Sequence, residues 1–142
     1  MTDPLHDIRH YSPTLTISQV VQFCAKKGLP LTRPMIQNYI RDGLLPPPVN
    51  KRFYTHKHLA ALVMISRLKA VYDIPAIKAA LFPHMDAEGL PLEMYRWLMD
   101  RQKEVHTVWL EKVAPGIAAE AEDRQSLLIM AHVAGIRDLV EL

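Results

Sequence analysis

The sequence predicts an all-α protein, because the same three helix signals recur along its 142 residues. Apolar residues return at intervals of three and four, which is the spacing that places side chains on one face of a helix. Residues that favour helix starts precede these runs, and glycine or proline follows them. With 49% apolar residues, a chain of this length can bury a core of its own.

Two short helices are predicted near the N-terminus, joined by a turn of a few residues. Thr16, with Gln19 three residues later, forms a capping box, and Gly28 ends this first helix. Thr32 caps the second helix, which the Asp42-Gly43 pair ends, so that it covers residues 32–42. Such a pair, with polar and basic residues on its second member, describes a helix-turn-helix.

A proline-rich loop and a basic turn follow the second helix at residues 45–54. Pro46-Pro47-Pro48 can neither continue a helix nor pair in a central strand. Asn50-Lys51-Arg52 then supplies a basic tip, which Phe53-Tyr54 closes. Together these features predict a recognition helix and a wing. The predicted fold class is therefore all-α, a winged helix-turn-helix DNA-binding domain with a C-terminal helical hairpin.

The charges divide the chain into a basic part and an acidic part. Residues 14–84 hold ten lysines and arginines against only Asp42 and Asp73, whereas residues 85–142 hold six basic and eleven acidic residues. This distribution is typical of a protein in which one part binds a polyanion and the other does not. A chance distribution of solvated charges is the plainer interpretation.

Three regions are predicted from these patterns. Residues 1–14 contain two prolines and no helical period, which indicates a flexible arm. Residues 15–84 form the winged helix-turn-helix domain, and an irregular stretch at 82–91 separates it from the rest. Residues 85–142 form a C-terminal helical dimerisation region.

A homodimer is predicted from the last helix of that region. The run Leu127–Ile136 is apolar on every helical face, and one neighbouring helix can cover only one of those faces. Leaving several such side chains in water is unfavourable, and a second copy of the chain is the simplest cover. We expect Trp97 or Trp109 and Leu128 to lie near the core of this interface.

The candidate DNA-binding residues are the polar and basic side chains of the recognition helix and the wing, together with two tyrosines. They are Arg33, Gln37, Asn38, Tyr39, Arg41, Lys51, Arg52 and Tyr54. Arginine and lysine bind phosphates, while glutamine and asparagine also hydrogen-bond to adenine edges. The tyrosines fit equally well as core aromatics with a polar tip. The predicted partner is double-stranded DNA.

Residues 16–81 resemble the DNA-binding domain of MerR-type transcription regulators. The resemblance rests on Ile36–Tyr39, followed by Gly43–Pro46 and then by Arg52–Tyr54 at suitable spacing. It implies a homodimeric transcriptional regulator whose recognition helix enters the major groove. Most of the chain is similar to a bacterial group of MerR-like proteins of unknown function. Gln37-Asn38 departs from the family's Arg-Tyr pair, which predicts fewer phosphate contacts.

Other functional classes find less support in the sequence. No nucleophile–base pairing, phosphate-binding loop or ligand spacing is present, so we expect no enzyme activity, no cofactor and no metal site. His56 and His58 cannot face one way on a helix, and Cys24 is the single cysteine. Cys24 is expected to be a small buried hydrophobe.

The location and the partners follow from the same absence of signals. No run reaches the ~20 apolar residues of a membrane span, and the N-terminus lacks the apolar region of a signal peptide. We therefore expect a cytoplasmic protein.

The sequence does not identify a small-molecule effector. The alternative function is a protein-interaction adaptor that uses a degenerate winged-helix scaffold without binding DNA.

Overall fold

A computed structural model describes residues 3–108 of the chain, together with Glu111 and Leu127. Its helices are α1 (His6–Arg9), α2 (Ile17–Lys27), α3 (Arg33–Arg41), α4 (His56–Leu68), α5 (Ile74–Leu81), a 3₁₀ turn (Phe82–His84) and α6 (Leu92–Val108). Within these residues the β pairing consists of isolated bridges, at Leu15–Tyr54, Val49–Phe53 and Asp86–Gly89. The prediction of an all-α protein is confirmed.

The helix starts follow the predicted caps. At α2 the Gln19 amide donates to Thr16 Oγ1 over 3.2 Å, and the Thr16 amide donates to Gln19 Oε1 over 2.8 Å. Gly28 ends this helix with φ of 75°, a conformation that glycine adopts without steric cost. These ends are fixed by local side-chain chemistry, which is why the sequence predicts them.

Helix α4 is the centre of the core, because residues 58–65 are all at most 4% exposed. The other buried apolar residues include Leu15, Val20, Phe23, Cys24, Ile36, Leu44, Leu45, Ile77, Leu81 and Leu90. Burial raises the pKa of the Cys24 thiol to about 11, so the thiol stays protonated at neutral pH. The prediction that Cys24 acts as a small buried hydrophobe is confirmed.

The N-terminal segment differs from the flexible arm that the sequence predicts at residues 1–14. Leu5 and Ile8 are each 1% exposed, and α1 packs against α4. The Asp3 carboxylate accepts the Leu5 amide at 3.0 Å and pairs with Arg96 at 3.2 Å. The physical reason is the spacing of Leu5 and Ile8, which brings two apolar side chains to one face of a single helical turn. Four residues are too few to show a period in the sequence.

Contacts divide the chain into two units, residues 1–96 and residues 97–142, with the boundary inside α6. The predicted division at residues 84 and 85, between a winged helix-turn-helix domain and a dimerisation region, stays a prediction. Trp97 and Val105 are 54% and 69% exposed on α6. Trp109, Leu128 and all of the predicted last helix except Leu127 lie outside the described residues, whereas α6 is the first helix of the predicted C-terminal hairpin. Leu127, the first residue of the apolar run, is 65% exposed.

Over the part of the chain that the structure describes, the helices are too short or too polar to cross a lipid bilayer.

Candidate nucleic-acid interface

Helix α3 presents a polar and basic face. Arg33, Gln37 and Arg41 are four residues apart and so form one row along the helix, with Asn38 beside it. All four side chains are exposed. On the opposite side Tyr39 is only 4% exposed, and this places the row toward solvent. The start of α3 is held by Thr32, whose hydroxyl accepts the Met35 amide at 3.4 Å.

The side chains of this row are available to a ligand. Among residues 3–108, no hydrogen-bond or ion-pair partner is present for the side chains of Arg33, Gln37 and Asn38. Arg41 has only a 3.9 Å ion pair with its neighbour Asp42, and both groups are exposed. An exposed pair of this kind contributes little to stability. The row therefore offers guanidinium and amide donors without disturbing the fold.

Tyr39 is a core residue that fastens α3 to α4. It is 4% exposed, and its hydroxyl accepts a hydrogen bond of 3.0 Å from the Lys69 ammonium. The same ammonium lies 5.3 Å from the centroid of the Tyr39 ring. The backbone carbonyl oxygen of Tyr39 accepts hydrogen bonds from the amides of Leu44 and Leu45 at 2.9 and 3.1 Å. Packing thus accounts for Tyr39, and its contact with DNA stays a prediction.

The predicted wing contains a tight hairpin turn at residues 49–53. The Val49 amide donates to the Phe53 carbonyl over 2.8 Å, and the Arg52 amide donates to the Val49 carbonyl over 3.0 Å. Asn50 and Lys51, at the tip, have φ of 53° and 59°. Two consecutive residues of positive φ are what a type I′ hairpin turn requires. The turn leaves Lys51 and Arg52 exposed, with no side-chain partner within residues 3–108.

The base of the wing lies beside the start of α3. Tyr54 and Leu15 exchange two backbone hydrogen bonds of 2.8 Å, and Tyr54 is 7% exposed. Burial raises the pKa of Tyr54, and the nearby charge of Arg33 partly offsets that rise. This interaction brings two candidate residues together, one from α3 and one from the wing. Tyr54, like Tyr39, is first of all a packing residue.

Replacing Lys51 with glycine is expected to stabilise the protein by about 0.5–1 kcal/mol, because a residue with a β-carbon pays ~1–2 kcal/mol in the left-handed region. Arg52→Gly is the matched control, since the φ of Arg52 is not positive and glycine there costs only chain entropy. Urea denaturation of the two variants and the parent measures the difference. A Lys51→Gly protein that is less stable than the parent would contradict the strained turn.

His58 anchors the segment of the predicted wing, a role that the sequence did not predict. The side chain is fully buried, and its Nδ1 accepts the Thr55 amide at 3.0 Å. Its Nε2 then carries the proton and donates to the Pro47 carbonyl over 3.0 Å. The ring also packs edge-on against Tyr54, with centroids 5.2 Å apart. The imidazole therefore joins the proline loop, the base of the wing and the first turn of α4.

The position of His58 three residues after Thr55 is the signal that could have identified it. A capping box usually has glutamate or glutamine there, and a neutral histidine can accept the same amide hydrogen. Burial lowers the pKa of His58, although its hydrogen bonds to the Pro47 and Pro46 carbonyls act in the opposite direction. The neutral form is thus the one that the fold requires.

A second loop closes on α4 from residues 86–90. The Lys57 ammonium pairs with Asp86 at 2.7 Å and with Glu88 at 3.7 Å. The Leu90 amide donates to the Lys57 carbonyl over 3.1 Å. Gly89, with φ of 133°, lies directly against that same carbonyl group. The start of α4 is therefore held both by the proline loop and by residues 86–90.

Metal coordination has no visible basis in residues 3–108, where no three His, Cys, Asp or Glu side chains are grouped suitably.

Comparison with known proteins corrects the predicted family. No curated protein and no solved structure matches the chain. No model of MerR-type or other helix-turn-helix regulators matches it either, so the predicted MerR-like identity is wrong. The resemblance rested on three short motifs. A glycine that ends a helix, a proline-rich loop and an aromatic residue after a turn each serve a local structural purpose and occur in many folds. Short motifs of that kind do not establish descent.

One family model does match. It covers residues 6–95 and is described as Domain of unknown function (DUF1836). The match begins at α1 and extends into α6, so it includes α3, the hairpin turn at residues 49–53 and both loops that hold α4. Because it spans more than half of the chain, the protein belongs to the DUF1836 family.

Proposed function

We propose that the protein is a sequence-specific transcriptional regulator that binds duplex DNA as a homodimer. In this proposal α2 and α3 act as a helix-turn-helix, α3 enters the major groove, and the hairpin at residues 49–53 is the wing. The observation that carries the proposal is the exposed row of Arg33, Gln37 and Asn38, which has no partner within residues 3–108. Side chains without a structural partner can form hydrogen bonds to base edges or phosphates without breaking a contact in the fold.

Charge supports the same assignment. The basic region at residues 14–84 holds ten lysines and arginines against two acids, and Lys51 and Arg52 lie exposed at the wing tip. Neutralising phosphates releases condensed counterions, so each ionic contact contributes to the dependence of affinity on salt. We assign Arg33, Gln37 and Asn38 to base or phosphate contacts, and Lys51 and Arg52 to the flanking backbone.

A function as a protein-interaction adaptor is the second candidate. Val71, Tyr72 and Phe82 are 69%, 55% and 66% exposed, near the two ends of α5. Exposed apolar side chains of this size can form part of a protein-binding surface. An adaptor would have no affinity for duplex DNA beyond weak, sequence-independent attraction, and this difference separates the two candidates.

Selection of bound sequences from a random duplex pool tests the proposal. A regulator is expected to enrich one motif, and a homodimer is expected to enrich it as an inverted repeat. Enrichment of single half-sites would contradict the dimer while leaving DNA recognition intact. A pool without enrichment would reject the regulator in favour of the adaptor.

Titration of the selected duplex at several salt concentrations then tests the assigned residues. Lys51→Ala combined with Arg52→Ala is expected to weaken binding and to lower the salt slope by roughly 2 units. Arg33→Ala is expected to weaken binding by ~1–3 kcal/mol if it reads a base. Arg9→Ala combined with Lys103→Ala removes the same charge outside the assigned surface and is the control. Wing variants that behave like this control would contradict the assignment.

A further inference from the structure

The exposed face of α3 carries two chemically different kinds of side chain. Arg33 at the start of the helix and Arg41 at its end are positively charged, whereas Gln37 and Asn38 between them are neutral amides. The nine residues of α3 include no aspartate or glutamate. The order along this face is therefore arginine, two amides and arginine, and all four side chains are exposed.

The amide of Gln37 is suited to a base rather than to a phosphate. A phosphate oxygen binds a charged donor about twice as strongly as a neutral one, so lysine or arginine is the better residue for the DNA backbone. Glutamine can instead form two hydrogen bonds at once with N6 and N7 of adenine. Gln37 has no side-chain partner within residues 3–108, so its donor and its acceptor are both free for such a pair.

Arg33 lies in the first turn of α3, in the same row as Gln37. In a helix-turn-helix the N-terminal residues of the second helix contact base edges. A guanidinium group at such a position forms two hydrogen bonds with O6 and N7 of guanine. Arg41 differs, because it lies at the C-terminal end of α3 and its guanidinium is 3.9 Å from the Asp42 carboxylate. A guanine contact therefore fits Arg33 better than Arg41.

The separation of the two base contacts follows from the helix. Residues 33 and 37 lie about 6 Å apart along the axis of α3, at about 1.5 Å for each residue. Stacked base pairs are about 3.4 Å apart, so the two side chains reach pairs that are about one or two steps apart. Because α3 carries no carboxylate, it lacks the group that pairs with the amino group of cytosine.

We infer that each DNA half-site contains a guanine that Arg33 reads and, one or two base pairs away, an adenine that Gln37 reads. Either base can lie on either strand. Arg41, Lys51 and Arg52 contact the phosphate backbone, so they contribute affinity without sequence preference. This inference rests on the proposed function and deepens it, because it names the bases that the regulator distinguishes.

Selection from a random duplex pool with the full-length parent and three variants tests the inference. The parent motif is expected to contain the guanine and the adenine at this separation. Arg33→Ala is expected to lose the preference for guanine and to keep the rest of the motif, and Gln37→Ala is expected to lose the preference for adenine alone. Arg41→Ala removes the same charge from the other end of α3. It is the matched control, and we expect weaker binding with an unchanged motif.

Modified bases separate a base contact from a phosphate contact. In 7-deazaguanine and 7-deazaadenine the N7 acceptor is replaced by carbon, and the backbone charge is unchanged. Each analogue, placed at its position in the selected duplex, is expected to weaken binding by the parent about threefold or more, because one hydrogen bond is lost. The guanine analogue is expected to have no further effect on Arg33→Ala, nor the adenine analogue on Gln37→Ala. Thermal unfolding confirms that both variants remain folded.

Three results would overturn the inference. They are a motif that lacks the guanine and adenine pair, an Arg33→Ala protein that still prefers guanine, and full affinity of the parent for both modified duplexes. Each of them requires a selected motif, so each leaves DNA recognition itself intact. A pool without enrichment rejects the proposed function and this inference together, which makes the two failures distinguishable.

Discussion

Gly89→Ala is expected to lower the free energy of unfolding by about 3–5 kcal/mol, one of the largest effects of any single methyl group in this protein. A β-carbon at this position would lie 2.4 Å from the Lys57 carbonyl oxygen and 2.7 Å from its carbon. Both atoms are backbone and belong to the first turn of α4, so neither can swing aside as a side-chain end can. The φ of 133° adds further strain for any residue other than glycine.

Gly28→Ala is the matched control for this prediction. Gly28 also has positive φ, 75°, but a β-carbon there meets nothing within 4 Å. Gly28→Ala is therefore expected to lower the free energy of unfolding only by the cost of placing alanine in the left-handed region, ~1–2 kcal/mol. Chemical denaturation of both variants separates the steric cost from the conformational one. Equal losses of stability in the two proteins would show that the close approach at Lys57 carries no energetic weight.

His58→Ala is expected to lower the free energy of unfolding by about 2–4 kcal/mol at pH 8, because it opens a cavity and leaves two backbone groups without partners. The amide of Thr55 loses its acceptor and the carbonyl of Pro47 loses its donor. His84→Ala removes an exposed imidazole and is the control, with an expected change within about 0.5 kcal/mol. Without the hydrogen bonds of His58, the rate of amide hydrogen exchange at residues 45–54 is also expected to rise.

The same histidine predicts a dependence of stability on pH. Its pKa in the folded protein lies below its ordinary value of 6.5, so the unfolded chain binds the proton more tightly. Stability from the neutral ring is fully present above pH 6.5 and is lost as pH falls from there toward the folded-state value. If Nδ1 were protonated, its N–H would face the N–H of Thr55, and the two donors would have no acceptor between them. His58→Ala should therefore reduce the loss of stability between pH 7 and pH 5, and an unchanged slope would contradict this assignment.

The sequence predicts those features of the fold that depend on residues close together in the chain. Thr16 and Gln19 lie one turn apart, and Gly28 ends a helix whatever surrounds it, so both are visible without a structure. The exposed row on α3 follows from helical spacing in the same way. Gly89 against Lys57 joins residues that are far apart in the chain, and no local pattern announces such an approach.

Two residues show why the candidate site was predicted only in part. Tyr39 appeared as a possible DNA contact because aromatic residues with a polar tip serve both in cores and at interfaces. Its hydroxyl is taken by Lys69, thirty residues further along the chain, and that contact depends on how α3 and α4 pack. His58 was considered only together with His56, as a pair that cannot face one way on a helix. Its role depends on the hydrogen bond to the Pro47 carbonyl, eleven residues away, which only the folded chain forms.

The division between anchoring and outward-facing residues has a consequence for how such a protein can diversify. Backbone bonds and His58 hold the wing, whereas Lys51 and Arg52 at its tip have no side-chain partner within residues 3–108. Arg33, Gln37 and Asn38 are likewise free of structural duties there. Substitutions at Arg33, Gln37, Asn38 and Arg52 are therefore expected to change the chemistry of this surface at little cost in stability, whereas the positive φ of Lys51 favours glycine, asparagine or aspartate there. The fold thus allows this exposed surface to vary in sequence while the buried core stays the same.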